Sequence, residues 1–173
     1  QYATVVLKGE ENFVFLTFSA TVLTAPCIGA VVGGIITTKF LGSYTNKNAL
    51  VLCFVVYLLF TAFCIPCPFM NDYTSFIILM WCAIFMQGFI EPIMMGIILN
   101  TVTPLERPTA SSFSILLEML IGMLPASYVY GLVYEKTAHY ENGKNVSRGG
   151  MYTVFFSSVI GAVALLVALL LRK

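Results

Sequence analysis

The stretch TSFIILMWCAIFMQGFIEPIMMGIIL, residues 74–99, decides the fold of this chain. It is long enough to cross the roughly 30 Å hydrocarbon core of a bilayer as an α-helix, and Glu91 is its one charged residue. It lacks period-two alternation and far exceeds the roughly 10 residues that a barrel strand needs, so a helix is favoured. Similar runs recur along the chain. The sequence therefore predicts an all-α membrane protein with transmembrane helices at about 13–36, 49–65, 74–99, 109–133 and 151–171.

The composition agrees with a chain embedded in a lipid bilayer. Hydrophobic residues make up 59% of the sequence and charged residues 10%, whereas a soluble domain carries about 25% charge. The net charge of +1 argues against a nucleic-acid partner. The sequence contains no nucleotide-binding glycine loop, no nucleophile–base–acid set and no zinc motif, and its single histidine, His139, lies in a polar loop. We therefore expect no enzymatic activity, no cofactor and no metal site.

The fourth apolar run carries a polar stripe with one carboxylate. Ser111, Ser114, Glu118, Gly122 and Pro125 follow one another at steps of three or four residues, which places them on one face of an α-helix. A carboxylate within a membrane costs about 2.5 kcal/mol or more at the helix centre, so it usually faces protein or water. The functional interpretation is a cavity wall in which Glu118 binds a proton or a cation. The alternative is a helix–helix seam in which Glu118 is protonated or paired.

The third run interrupts its apolar pattern at one point. Gln87 and Glu91 lie one turn apart on the same face, and Pro92 frees the backbone carbonyl of Gly88 from its helical hydrogen bond. Polar breaks of this kind form binding sites in transporters. The alternative is a structural pair in which the Gln87 amide donates to the Glu91 carboxylate.

Two further patterns concern packing. Gly29 and Gly33 form a GxxxG pair in the first run, and Ala30 with Gly34 overlaps it, which predicts close contact with another helix. Cys64-Ile65-Pro66-Cys67 is a CxxC motif at the end of the second run. One such motif alone is weak support for redox chemistry, and buried thiols are the expected interpretation.

Loop charges and a sequon indicate the orientation. Because the loops are short, consecutive helices are antiparallel, so the basic residues divide between two sides. One side carries Lys39, Lys47, Arg107, Arg172 and Lys173, and the other carries Lys8, Lys136, Lys144 and Arg148. The small excess predicts a cytoplasmic C-terminus, which would place the sequon at Asn145 in the lumen.

Three turns resemble signatures of the major facilitator superfamily of secondary transporters. After the first run, Gly34 and Lys39 match a glycine-acid-base-glycine loop, although Thr38 replaces the acid and one residue is inserted before Gly42. The turn 103–112, TPLERPTASS, is similar to the pattern P-x-x-R-x-x-A-x-[GS]. The end of the fourth run, 125–135, resembles the P-x-x-x-G-x-[IV]-x-[DE] ending of Spinster-like and related eukaryotic members, with two additional residues between Pro125 and Gly131.

The resemblance implies that the five helices correspond to the last five of a twelve-helix carrier with a cytoplasmic C-terminus. It places the first, third and fourth helices along a central cavity and the other two outside. It also implies that Lys39 lies at the cytoplasmic gate, together with Glu106 and Arg107 as an ion pair. Because the chain begins with Gln1 rather than Met, we expect it to be a piece of a longer protein.

The expected function is therefore transport of a small solute by alternating access, with Glu118 or Glu91 as the site of proton coupling. Its partners would be the solute and an N-terminal half that the chain lacks. The alternative function is a non-transporting membrane subunit that packs against partner helices within a larger complex. The sequence identifies neither the solute nor the membrane.

Overall fold

The computed structural model describes residues 10–41, 47–137, 139–141, 144–146 and 149–171. Helix α1 spans Glu11–Ile36 and continues into a π-helical turn, Thr37–Leu41. Helices α2 and α3 span Lys47–Cys64 and Tyr73–Thr101, with a 3₁₀ turn at Cys67–Phe69 between them. The fourth span comprises α4 (Arg107–Leu117), a π-helical segment (Glu118–Met123) and α5 (Leu124–Thr137). A two-stranded ladder, β1 (His139–Glu141) and β2 (Lys144–Val146), precedes α6, Gly149–Leu171.

The described residues contain five helices that are long and apolar enough to cross a membrane, which confirms the predicted helical architecture with five membrane-length spans. Their bounds agree with the predicted spans to within a few residues. Helix α2 ends at Cys64, directly before the segment that contains Pro66 and Pro68. Helix α3 begins where the Asp72 carboxylate accepts a hydrogen bond from the backbone N–H of Ser75 at 3.1 Å, which caps the first turn.

The spans pack side by side in the order α1, α3, α2, α6 and α5. Helices α1 and α3 run parallel, because the Thr17 hydroxyl contacts the Tyr73 hydroxyl and the Trp81 indole N–H donates to Thr24 Oγ1 at 3.2 Å further along both helices. Helix α2 packs on another side of α3, and their shared apolar core consists of Ala49, Cys53, Val56, Phe89, Ile90 and Ile93. Helix α3 therefore has two of its sides covered, one by α1 and one by α2.

Helix α6 packs against α2 at a glycine, Gly161. A Cβ atom added to Gly161 would lie 2.6 Å from the Cζ atom of Tyr57 on α2 and closer still to its hydroxyl. We expect Gly161→Ala to lower the free energy of unfolding by about 1–3 kcal/mol, the usual cost of overpacking. A thermal unfolding assay in detergent measures the effect. In the background of Tyr57→Ala, which removes the obstructing ring, the same glycine substitution should cost nothing; an equal loss in both backgrounds would contradict this contact.

Some of the predicted features lie outside the described residues. These are Gly42 of the loop resembling a transporter signature and four basic residues used for orientation, Lys8, Arg148, Arg172 and Lys173. Asn145 of the sequon lies in β2, where it pairs in register with Tyr140.

Candidate functional site

Helix α3 is held against α1 by direct contact between the two backbones. A Cβ atom added to Gly29 would lie 2.9 Å from the backbone N of Phe89, and one added to Gly33 would lie 3.1 Å from its carbonyl carbon. The contact is reciprocal, because a Cβ atom on Gly88 of α3 would lie 2.6 Å from the carbonyl oxygen of Pro26. Gly29 and Gly33 therefore occupy the helix–helix contact that the GxxxG pattern predicts. Gly34 differs: a Cβ atom there has no heavy atom within 4 Å, because this residue is turned away from α3.

The polar residues of α3 lie on the side that neither α1 nor α2 covers. Gln87 and Glu91 are exposed, whereas Gly88, Phe89 and Ile90 between them are buried. Neither polar side chain has a hydrogen-bond or ion-pair partner among the described residues, so Gln87 does not donate to Glu91 as a structural pair would require. A charged carboxylate on the outside of a membrane-spanning helix is unfavourable in lipid, so we expect Glu91 to face water or protein, or to carry a proton.

The fourth span is the least covered part of the molecule. None of its residues is buried, and α4 contacts α3 while α5 contacts α6. The half-buried residues of α4 are Ala110, Ser111 and Ser114, so this face is turned toward α3. The two serine hydroxyls donate to backbone carbonyls of their own helix, that of Ser114 to Ala110 at 2.9 Å and that of Ser111 to Pro108 at 3.3 Å.

Glu118 continues the face of Ser111 and Ser114 by one further turn. It is exposed, and its carboxylate has no hydrogen-bond or ion-pair partner among the residues that the structure describes. Because α4 contacts α3, we take the exposed side of α3 and this face of the fourth span together as one candidate site, which we call the α3–α4 groove and define by Gln87, Glu91, Ser111, Ser114 and Glu118.

The two carboxylates of the groove lie at the same depth. Glu91 lies 10 residues before the end of α3 at Thr101. Glu118 lies 11 residues after the start of α4 at Arg107. At 1.5 Å of rise per residue, each carboxylate lies about 15 Å from the turn. This distance is half of the roughly 30 Å hydrocarbon core. Both acidic side chains therefore lie well inside membrane-length helices, at a similar distance from the turn.

Glu118 also begins the π-helical segment, which the sequence analysis did not anticipate. The Leu124 backbone N–H donates to the carbonyl of Met119, five residues earlier, directly before Pro125, which has no N–H to continue the α-helical ladder. A π turn holds one residue more than an α turn, so residues beyond it are rotated by about 100°. Pro125 therefore leaves the face it was predicted to share with Ser111, Ser114 and Glu118. Pro125 is the sequence signal from which this widening could have been suspected.

The predicted gating residues are placed at helix ends. Glu106 closes the turn after α3, because its carboxylate accepts a hydrogen bond from the Thr103 hydroxyl at 2.8 Å. Arg107 begins α4, and its guanidinium has no ion-pair partner among the described residues, so the predicted Glu106–Arg107 pair is not formed. A hydroxyl three residues away satisfies the carboxylate instead. Lys39 is exposed in the π turn after α1.

The described residues contain no group of three or more His, Cys, Asp or Glu side chains that could hold a metal ion. Within the described membrane-length helices, the acidic residues that lie away from the helix ends are Glu91 and Glu118 of the α3–α4 groove. Comparison of the chain with family models, with curated proteins and with solved structures gave no match.

Proposed function

We propose that this chain is the C-terminal part of a secondary transporter of the major facilitator type, which moves a small solute by alternating access. The observation that supports the proposal best is the α3–α4 groove, where Glu91 and Glu118 have no partner among the described residues and lie about 15 Å along their helices from the α3–α4 turn. Transporter sites are typically built at this depth from helices that are interrupted by proline or glycine. Both α3, through Pro92, and the fourth span, through Pro125, fit that description.

The cost of charge in lipid supports a role for the groove. Each carboxylate exposed to acyl chains would cost about 2.5 kcal/mol or more. The cost disappears when the groove is lined by water and solute, or when the carboxylate carries a proton. In the proposed mechanism Glu118 takes up a proton from one side of the membrane and releases it to the other, while Gln87, Glu91 and Ser114 contact the solute.

The remaining elements of the proposal come from the turns that resemble the superfamily. An N-terminal half of the protein would cover the exposed fourth span and complete the cavity, and the two halves would rock about the groove. The C-terminus would lie in the cytoplasm. Lys39, Glu106 and Arg107 would then lie near the cytoplasmic opening, where they could contact the other half as the cavity closes.

A second candidate function, a non-transporting subunit, is favoured by the lack of any buried residue in the fourth span. A membrane helix without a single buried residue is suited to packing against a partner. In this case the serines and Glu118 would form hydrogen bonds to helices of another protein, and no solute would enter the groove.

Uptake into sealed vesicles that contain the full-length protein distinguishes the two functions. A panel of lysophospholipids, sugars and organic anions would be tested with and without an imposed proton gradient. Accumulation of one solute driven by the gradient is the expected result. Folded protein that moves none of these solutes, and that co-purifies with a stoichiometric membrane partner, would support the subunit instead.

A further inference from the structure

The CxxC motif at the end of α2 places two thiols in one corner of the molecule. We propose that Cys64 and Cys67 form an intramolecular disulfide that closes the end of α2. The proposal does not depend on the proposed transport function. Both residues are buried, and both are free thiols in the structure, which therefore contains the reduced form.

The backbone between the two cysteines has the geometry that a disulfide needs. Cys64 ends α2, the Ile65 N–H still donates to the carbonyl of Thr61 at 3.1 Å, and Pro66 has helical dihedral angles, φ −75° and ψ −18°. The chain thus turns helically from Cys64 to Cys67. Residues three apart on such a path have Cα atoms about 5 Å apart, from the rise and radius of the helix. Disulfides span Cα separations of about 4.4–6.8 Å.

The side chains also lie on the same side of the turn. The Cys67 thiol reaches back along α2 and donates to the carbonyl of Phe63 at 3.2 Å, which places Cys67 Sγ beside the last turn that contains Cys64.

The corner that the bond would close connects three helices. Cys67 packs with Tyr73 and Phe76 at the start of α3, and Val14 of α1 packs against the same cluster. This end of α2 lies on the side of the membrane opposite the predicted cytoplasmic side. Disulfides form and persist in oxidising compartments outside the cytosol. A bond here would fix the α2–α3 connection at the edge of the α1–α3 pair.

The reaction is a thiol–disulfide exchange. A protein disulfide of the secretory compartment accepts two electrons and is reduced to two thiols, while Cys64 and Cys67 lose two protons and two electrons and form one S–S bond. Because both thiols are buried in the folded protein, the exchange has to occur during folding, before the corner closes. The same burial would protect the finished bond from reductants.

The test is thiol counting on the full-length protein purified from its native membrane. Membranes are treated with excess N-ethylmaleimide and then denatured in its presence without reductant, and the peptides are examined by mass spectrometry. We expect Cys27, Cys53 and Cys82 to be alkylated and Cys64 and Cys67 to be recovered as one linked peptide. Adducts on Cys64 and Cys67, or a disulfide between any other pair of these cysteines, would overturn the proposal.

Two variants test which cysteines form the bond. Cys64→Ala should leave Cys67 alkylated in the absence of reductant, a change from none to full modification. Cys53→Ala is the matched control, because Cys53 is also buried on α2 but packs toward α3 in the middle of the span. The linked Cys64–Cys67 peptide should persist unchanged in this control.

Discussion

Gly29→Leu is expected to prevent stable association of α1 with α3, with a loss of free energy of unfolding of more than about 3 kcal/mol, above the range usual for overpacking. The atoms that a side chain would meet are the carbonyl oxygen of Phe85 and the amide nitrogen of Phe89, which are backbone atoms and cannot rotate away. The two helices would have to separate along their whole length. Since folded proteins are stabilised by only about 5–15 kcal/mol, we expect little folded protein in detergent, measured by size-exclusion chromatography and thermal unfolding.

Gly34→Leu is the matched control. Gly34 lies on the same helix as Gly29 but has open space at the position of a Cβ atom, so a leucine there meets lipid or a partner helix. We expect the free energy of unfolding to stay the same or to rise by up to about 1 kcal/mol, because leucine favours helix more than glycine does. Equal destabilisation by the two substitutions would mean that α1 and α3 are not packed through Gly29.

Glu118→Gln is expected to reduce gradient-driven uptake to background while the protein remains folded. Glutamine has nearly the same shape as glutamate but cannot carry a proton across the membrane. Glu135→Gln serves as the control, because Glu135 lies at the exposed end of the same span, beyond the apolar stretch. Uptake that keeps its full dependence on the proton gradient in Glu118→Gln would remove Glu118 from the coupling mechanism.

The helical spans were predictable because length and apolarity alone determine them. The stretch 74–99 can satisfy its backbone hydrogen bonds within a bilayer only as a helix, and α3 extends it by one residue at the N-terminal end and two at the C-terminal end. The contact of Gly29 and Gly33 with another helix followed from their spacing. The spacing did not show which helix they contact, because any helix with a small residue such as Gly88 fits such a surface.

The finer geometry of the site was not predictable from periodicity. A pattern of 3.6 residues per turn keeps Pro125 on the face of Glu118, whereas the π-helical segment rotates it away. The resemblance implied a Glu106–Arg107 ion pair. Neighbouring residues on a helix do not face each other, however, and the Thr103 hydroxyl donates to the Glu106 carboxylate instead. The equal depth of Glu91 and Glu118 depends on the tight turn between α3 and α4.

The most direct test of the proposed site is to measure whether the α3–α4 groove contains water in the membrane. In a cysteine-free background, Glu118→Cys and Leu120→Cys place thiols two residues apart on opposite sides of the fourth span. A charged, water-soluble thiol reagent is then applied to full-length protein in liposomes. Since the reactive thiolate is disfavoured in lipid, we predict modification at position 118 and none at position 120. Equal reactivity at both positions, or protection of position 118 alone, would contradict a water-lined groove.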